Sequence, residues 1–291
     1  VRILLLGRNG QLGHELARAL AHGHELKSTD RTELDLADAE AIRRVVREAL
    51  PDAIVNAAAY TAVDQAESEP ALAMRINAEA PGVLAEEAKR RGALLVHYST
   101  DYVFDGEKGA PYVEDDAPNP LGAYGRSKLE GERRIAASGC RHLILRTCWV
   151  YESRGRNFLL TILRLARERG ELRVVGDQVG SPTAARDLAD ACAKLLASGE
   201  APEGIFHLAA TGQCSWFEFA REILAQTGNA RVKLTQITTA EYPTAARRPR
   251  YSVLSCERIR RACGIALPHW RDGLARVLRV DPGQPGATLQ I

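Results

Sequence analysis

Two residues four apart, Tyr124 and Lys128 in Tyr124-Gly-Arg-Ser-Lys128, open an amphipathic stretch and share one face of any helix formed there. A phenol whose ordinary pKa is about 10 works near neutral pH only where a cation favours its ionised form, and Lys128 is such a neighbour. The triplet Ser99-Thr100-Asp101 follows the apolar run Ala93 to Tyr98. That places a hydroxyl at the C-terminal end of a strand, where parallel sheets bind ligands. Thr100 would donate a hydrogen bond to a carbonyl while Tyr124 protonates it, which is the chemistry of ketone reduction. A Y-x-x-x-K pattern alone recurs by chance on helix surfaces, so its weight comes from the neighbouring Thr100.

A second constellation precedes it. Gly7-Arg8-Asn9-Gly10-Gln11-Leu12-Gly13 lies between an apolar strand, Arg2 to Leu6, and an amphipathic helix, Gln11 to His22. Gly7 permits a sharp turn, Gly10 lets the backbone approach phosphates, and Gly13 lets the helix close on the sheet. The spacing is G-x-x-G-x-x-G. Asp30 ends the second expected strand about 17 residues past the last glycine, where a carboxylate would bond a ribose 2′-OH. Arg31 beside it suits a 2′-phosphate, and Arg8 could reach the same phosphate. The pair therefore points both ways, towards NADPH as cofactor with NADH also accepted.

These groups need a scaffold, and the chain alternates apolar runs with amphipathic stretches in a β-α-β-α rhythm. Strands are expected at Arg2 to Leu6, Glu25 to Asp30, Ala53 to Asn56, Ala93 to Tyr98 and His142 to Arg146. Helices are expected at Asp38 to Leu50, at Ala71 to Arg91 with an interruption at Pro81, and at Tyr124 to Ala137. The fold class that follows is α/β, a doubly wound parallel sheet (Rossmann-like) with a smaller C-terminal substrate-binding lobe. Residues 1–150 form the expected dinucleotide-binding domain and 151–291 mostly the substrate lobe, with roughly 172–208 packing back on the sheet. Helices are expected near Phe158 to Arg169, Ala185 to Ala197 and Phe217 to Gln226, with strands near Leu172 to Val175 and Ile205 to Leu208. The aromatic and proline residues gathered there (Trp216, Phe217, Tyr242, Pro243, Pro249, Tyr251) suit a substrate pocket. Beyond Arg279, Asp281-Pro-Gly-Gln-Pro-Gly reads as a loosely held tail.

Composition narrows the function classes. With 45% hydrophobic and 26% charged residues, the 291-residue chain has the profile of a globular protein. Its apolar runs fall far short of the ~20 residues of a membrane helix, so no membrane partner is expected. A net charge of +2 gives no basic field, so no nucleic acid is expected either. The six cysteines show no C-x-x-C pair and read as buried free thiols of a reducing compartment. A strand beginning at Arg2 leaves no room for a signal peptide, and a cytoplasmic location is expected.

Taken together, these motifs resemble the extended short-chain dehydrogenase/reductase family over nearly the whole chain, to about Arg279. The resemblance rests on the turn Gly7 to Gly13, Asn56-Ala-Ala-Ala-Tyr-Thr-Ala-Val-Asp64, Glu67-Ser-Glu-Pro70 and Val96-His-Tyr-Ser-Thr-Asp-Tyr-Val-Phe-Asp-Gly106. It continues in Tyr124 to Lys128, Arg146-Thr-Cys-Trp-Val-Tyr151, Asp177-Gln-Val-Gly-Ser-Pro-Thr183 and Arg248-Pro-Arg-Tyr-Ser252. Gln11-Leu12-Gly13, where epimerases and dehydratases usually carry Phe-Ile-Gly, points to a reductase branch.

The resemblance implies Tyr124 as general acid, Lys128 as its pKa-lowering partner and a ligand of the nicotinamide ribose, and Thr100 as a second donor to the substrate carbonyl. It places Asp35 and Leu36 near the adenine and Ala57, Ala58 and Ala59 along the cofactor groove. Asp64, Asp101, Tyr102 and Trp149 would face a sugar, and Arg248 its diphosphate. The implied reaction is NADPH-dependent reduction of the C4 ketone of a nucleotide-sugar substrate, dTDP-6-deoxy-L-lyxo-4-hexulose. Another nucleotide-sugar activity of the family, epimerase or dehydratase, and a non-catalytic dinucleotide-binding regulatory subunit remain open, as does a homodimer. Glu152 departs from the small residue common in relatives. Some relatives join subunits through metal-bound acids; Glu15 matches one such position, but Arg186 replaces another, so no metal is expected.

Overall fold

The computed structural model describes residues 1–199 and 201–279. In chain order, Arg2–Leu6 (β1), Gln11–Leu20 (α1), Glu25–Thr29 (β2), Ala39–Ala49 (α2) and Ala53–Asn56 (β3) open the fold. Pro70–Met74 (α3), Ala80–Arg91 (α4), Leu94–Thr100 (β4), Ala123–Ser138 (α5) and His142–Thr147 (β5) follow. Then come Val150–Tyr151 (β6), Phe158–Glu168 (α6), Glu171–Val175 (β7), Val179–Gly180 (β8), Thr183–Ala184 (β9) and Ala185–Ala197 (α7). Gly204–His207 (β10), Cys214–Ser215 (β11), Trp216–Gln226 (α8), Lys233–Ile237 (β12), Glu257–Cys263 (α9) and Trp270–Leu278 (α10) complete it. The expected tail from Asp281 lies outside the described residues.

Six parallel strands form the central sheet in the order β10-β5-β4-β3-β1-β2. β1 reads as an unbroken apolar run because both faces of a parallel sheet are covered. Ile3 and Leu5 pack with Leu12, Leu16 and Leu188 on one face. Leu4 and Leu6, alternating with them, pack with Ile42, Val46 and Leu84 on the other. Helices α1, α7 and α9 therefore cover one side and α2, α4 and α5 the other, which is the doubly wound α/β architecture. The chain leaves β1 for β2 on one side and reaches β3 on the other, so the order reverses between β1 and β3 and opens a crevice at their C-terminal ends.

Local chemistry explains the element ends. Asp38 caps α2, its side chain accepting from Ala41 N at 3.0 Å. The interruption expected at Pro81 takes the form of a π-helical segment, Arg75–Glu79, which separates α3 from α4 while keeping one continuous helical run. A proline ring clashes with the carbonyl four residues earlier and lacks an N–H, and the wider π turn absorbs both defects. The displaced Asn77 carbonyl lies against Gly131 of α5, where an added Cβ would sit 2.2 Å from it.

A second core, with Leu159, Ile162, Phe219, Ile223, Trp270 and Leu274, joins α6, α8 and α10 to the paired strands β7 and β12. Leu172 and Val174 belong to this core, whereas Leu188, Cys192 and Phe206 belong to the core beside α1. All six cysteines are unpaired, but Cys256 and Cys263 are only part-buried, correcting the expectation that every thiol is buried. No described helix is long and apolar enough to cross a membrane.

Candidate active site

A cavity of about 570 Å³ occupies the crevice. Gly7, Asn9, Gly10, Gln11 and Leu12 form its floor, Asp30, Arg31, Asp35 and Leu36 one end, and Ala57, Ala58 and Ala59 a side wall. Gly7 turns at φ +87°, and a Cβ there would meet that of Ala58 at 2.9 Å. Gly13 lies outside the cavity and serves packing: a Cβ would sit 1.9 Å from Gly7 O, so its close contact is with the turn rather than with the sheet. Gly10 caps α1 with no side chain over the helix N-terminus, leaving N–H groups for an anion. This arrangement fits a dinucleotide pyrophosphate.

The three charged candidates at the β2 end take different positions. Asp30 Oδ1 accepts from Thr32 N and Oγ1 at 2.9 and 2.6 Å. Its Oδ2 accepts from Arg8 Nη2 at 2.9 Å and Asn9 Nδ2 at 2.8 Å. The Thr32 hydroxyl, foremost among these, holds the carboxyl below its usual range. Little accepting capacity is left for a ribose hydroxyl. Arg8 is committed as well, to Ser28 O at 2.8 Å, Asp30 and Glu33, and lies outside the cavity wall. Arg31 lines the cavity, is exposed, and pairs with no carboxylate among the described residues.

Tyr124 and Lys128 both reach the cavity from the first turns of α5. Lys128 is 2% exposed. Its Nζ donates to Tyr98 O at 2.6 Å and lies 3.1 Å from His97 Nε2, while Asn56 Nδ2 lies 3.1 Å from His97 Nδ1. Burial lowers the Lys128 pKa to about 8, with Glu132 opposing, and pushes the Tyr124 phenol up to about 12, opposed by the Thr100 hydroxyl. Thr100, the last residue of β4, directs its hydroxyl to Asp101 Oδ1 at 3.0 Å. It does not line the cavity but backs Tyr124.

The residues expected to face a sugar divide. Asp64 and Arg248 form a two-pronged ion pair, at 3.0 and 2.7 Å. Arg248 also donates to Thr244 and draws on the Tyr102 hydroxyl. Tyr102 packs edge-on against Tyr124 with ring centroids 6.0 Å apart. Trp149 adopts φ +48°, which is costly for a bulky side chain. It stacks on Trp216 with centroids 3.4 Å apart and planes 5° apart. Asp101 is 2% exposed. Glu152 is buried too, and Glu15 bonds to Arg18, which also pairs with Asp190. Among the described residues no acidic, histidine or cysteine group gathers with metal-ligand geometry.

Several supports escaped the sequence reading. Glu132 and Arg146, each 2% exposed, form a forked ion pair at 3.0 and 2.7 Å, and Ser99 donates to the same carboxylate. Asn77 bonds Tyr60 N at 2.8 Å and Ser127 Oγ at 3.0 Å, tying the loop after β3 to α5 beside Lys128. Arg156 and Gly155 bring the second lobe to the cavity, with Gln11 Nε2 donating to Arg156 O at 3.3 Å. Spacing offered no signal for these contacts, although Trp216 stood in the aromatic cluster already noted.

Comparison with known proteins bears on what this geometry serves. A dTDP-4-dehydrorhamnose reductase of Burkholderia thailandensis is 48% identical over 293 residues, covering 96% of this chain and 98% of the relative. The crystal structure of a dTDP-4-dehydrorhamnose reductase from Clostridium acetobutylicum superposes with a TM-score of 0.92 at 41% identity, covering 96% of this chain and 99% of that one. That of a dTDP-4-dehydrorhamnose reductase from Bacillus anthracis in complex with NADP gives 0.91 at 39% identity, covering 96% and 98%. A family profile described as the RmlD substrate binding domain matches residues 1–281, spanning the glycine turn, the Tyr124–Lys128 pair and both lobes, and the chain belongs to that family.

Proposed function

We propose that this chain catalyses NADPH-dependent reduction of the C4 ketone of dTDP-6-deoxy-L-lyxo-4-hexulose, also called dTDP-4-dehydrorhamnose, to dTDP-L-rhamnose. The observation that carries this reading is that Tyr124 and Lys128 share one cavity with an uncapped helix N-terminus and with Arg31, which pairs with no carboxylate among the described residues. Relatives of matching length named as dTDP-4-dehydrorhamnose reductases support the substrate. Bound NADPH supplies the hydride. The glycine turn holds the pyrophosphate, Arg31 the 2′-phosphate, and Lys128 the nicotinamide ribose. Asp35 and Leu36 flank the adenine, and Ala57 to Ala59 allow close approach. Tyr124 delivers the proton to the ketone oxygen, with Thr100 as second donor.

Residues 1–150 would then bind the dinucleotide, and 151–291 mostly the sugar; of the expected 172–208 only α7 and β10 return to the sheet, since β7 packs in the second core. Trp149, Tyr102 and Asp64 would line the sugar site, and Arg248 would meet the diphosphate by exchanging its Asp64 partner. Six unpaired thiols support a reducing, cytoplasmic setting. The test is an absorbance assay with the purified chain, NADPH and a panel of nucleotide-linked 4-keto-6-deoxyhexoses. Stoichiometric NADPH consumption with the dTDP-linked hexulose is the expected result. Tightly retained NAD with no net consumption would support an epimerase or dehydratase instead, and binding without turnover a regulatory subunit.

A further inference from the structure

Asp101, which the family resemblance sets facing the sugar, carries a carboxyl that is buried beside Thr100 and does not line the cofactor cavity. It is 2% exposed, its Oδ1 accepts the Thr100 hydroxyl at 3.0 Å, and its Oδ2 has no hydrogen-bond partner among the described residues. The groups that face it are the Thr100 and Ser252 hydroxyls, the phenols of Tyr102 and Tyr124, and the Cys148 thiol. Arg248 is held by Asp64, Thr244 and Tyr102 and is not among the groups acting on the Asp101 carboxyl. Burial without a cation pushes the carboxyl up to about 7, the two hydroxyls opposing.

The consequence falls on Thr100. A threonine hydroxyl has one hydrogen and two accepting positions. One accepting position is taken by Tyr102 N at 3.1 Å. While Asp101 is ionised, the single hydrogen points to Oδ1 and is lost to the substrate. When Asp101 carries a proton, the carboxyl donates into the second accepting position, and the hydrogen is free to turn towards Tyr124 and the ketone.

We propose that Asp101 is a positioning residue that sets the direction of the Thr100 hydroxyl, so that only its protonated carboxyl aims that hydrogen at the substrate oxygen. The proposal rests on the ketone-reductase reading. No proton is consumed at Asp101: Tyr124 still protonates the alkoxide, and Thr100 steadies the oxygen as its charge develops.

The decisive experiment is the pH profile of kcat/KM for the wild-type chain, Asp101→Asn, Thr100→Val and the double variant. Wild-type activity should fall about tenfold per pH unit above neutrality and level off near the Thr100→Val value. The carboxamide introduced by Asp101→Asn donates to Thr100 at every pH, so this variant should lose that fall while keeping the separate, more alkaline limb set by Lys128. In the Thr100→Val background, replacing Asp101 should leave the shape of the profile unchanged. A neutral-pH fall that survives in Asp101→Asn, or an equal Asp101 effect without the Thr100 hydroxyl, overturns the proposal. Carbon-13 NMR of aspartate-labelled wild-type protein gives a second readout that needs neither folding of the variant nor turnover. One carboxyl should titrate between about pH 6 and about pH 8 and shift in Thr100→Val; aspartates ionised throughout that range overturn the proposal. A chain inactive on every ketone tested would refute the reductase reading while the NMR titration still decided the state of Asp101.

Discussion

Lys128 Nζ donates a 2.6 Å hydrogen bond to the main-chain carbonyl of Tyr98, which fixes an α5 ammonium to the β4 strand that ends in Thr100. This bond and the His97 ring occupy one side of the ammonium and leave the other towards the cavity. Lys128→Met, which keeps the aliphatic bulk, should raise the KM for NADPH and lower kcat together. Because burial lowers this pKa to about 8, the cationic form is present below that pH and is lost as pH rises through it. NADPH binding, read by titrating nucleotide fluorescence, should weaken over that window in the wild type and show no such step in Lys128→Met.

Tyr124→Phe keeps the ring and its edge-on contact with Tyr102 and deletes the proton donor. Turnover should fall by about 10²–10⁴, the usual worth of a general acid, with the melting temperature held. Reduction of the hexulose at the wild-type rate would remove Tyr124 from the mechanism.

Arg31 and Arg8 should separate in cofactor kinetics. Arg31→Ala should raise the KM for NADPH and leave NADH nearly unchanged, since its cation lines the cavity with no carboxylate partner among the described residues and is available to a 2′-phosphate. Arg8→Ala should impair both cofactors alike, because it loosens Asp30 and the turn rather than removing a phosphate ligand.

The Trp149–Trp216 stack rests on Gly180, where an added Cβ would meet the Trp149 ring at 2.5 Å. Gly180→Ala should therefore raise the KM for the nucleotide sugar several-fold and leave the NADPH dissociation constant unchanged. Steady-state kinetics beside a cofactor titration checks this; an equal loss for both ligands would place the effect in the fold.

Glu132→Gln leaves the Arg146 guanidinium buried with a weakened partner. Breaking a buried pair costs about 3–5 kcal/mol, so denaturant unfolding should show a large drop in stability. A change within about 0.5 kcal/mol, the ordinary range for surface substitutions, would mean that the site beside Ser99 repacks freely.

Much of the fold was legible along the chain because its determinants are local. An apolar run, a glycine turn and an amphipathic helix follow one another within 20 residues at the start, and the period of each apolar pattern names the element. The Tyr124–Lys128 pair was readable for the same reason, since helical spacing alone puts both on one face. What only the tertiary structure decided is which charges remain free. Arg248 meets Asp64 across 184 residues and Arg18 meets Asp190 across 172. Arg8 is spent on Asp30 and Glu33 while its rival Arg31 is not. Asp101 was set facing a sugar only by the family resemblance, and packing closes over it. Spacing carries no record of such pairings or of desolvation, because both depend on which distant segments the sheet brings together, and in a low-dielectric interior they set the charge and direction of every group at the site.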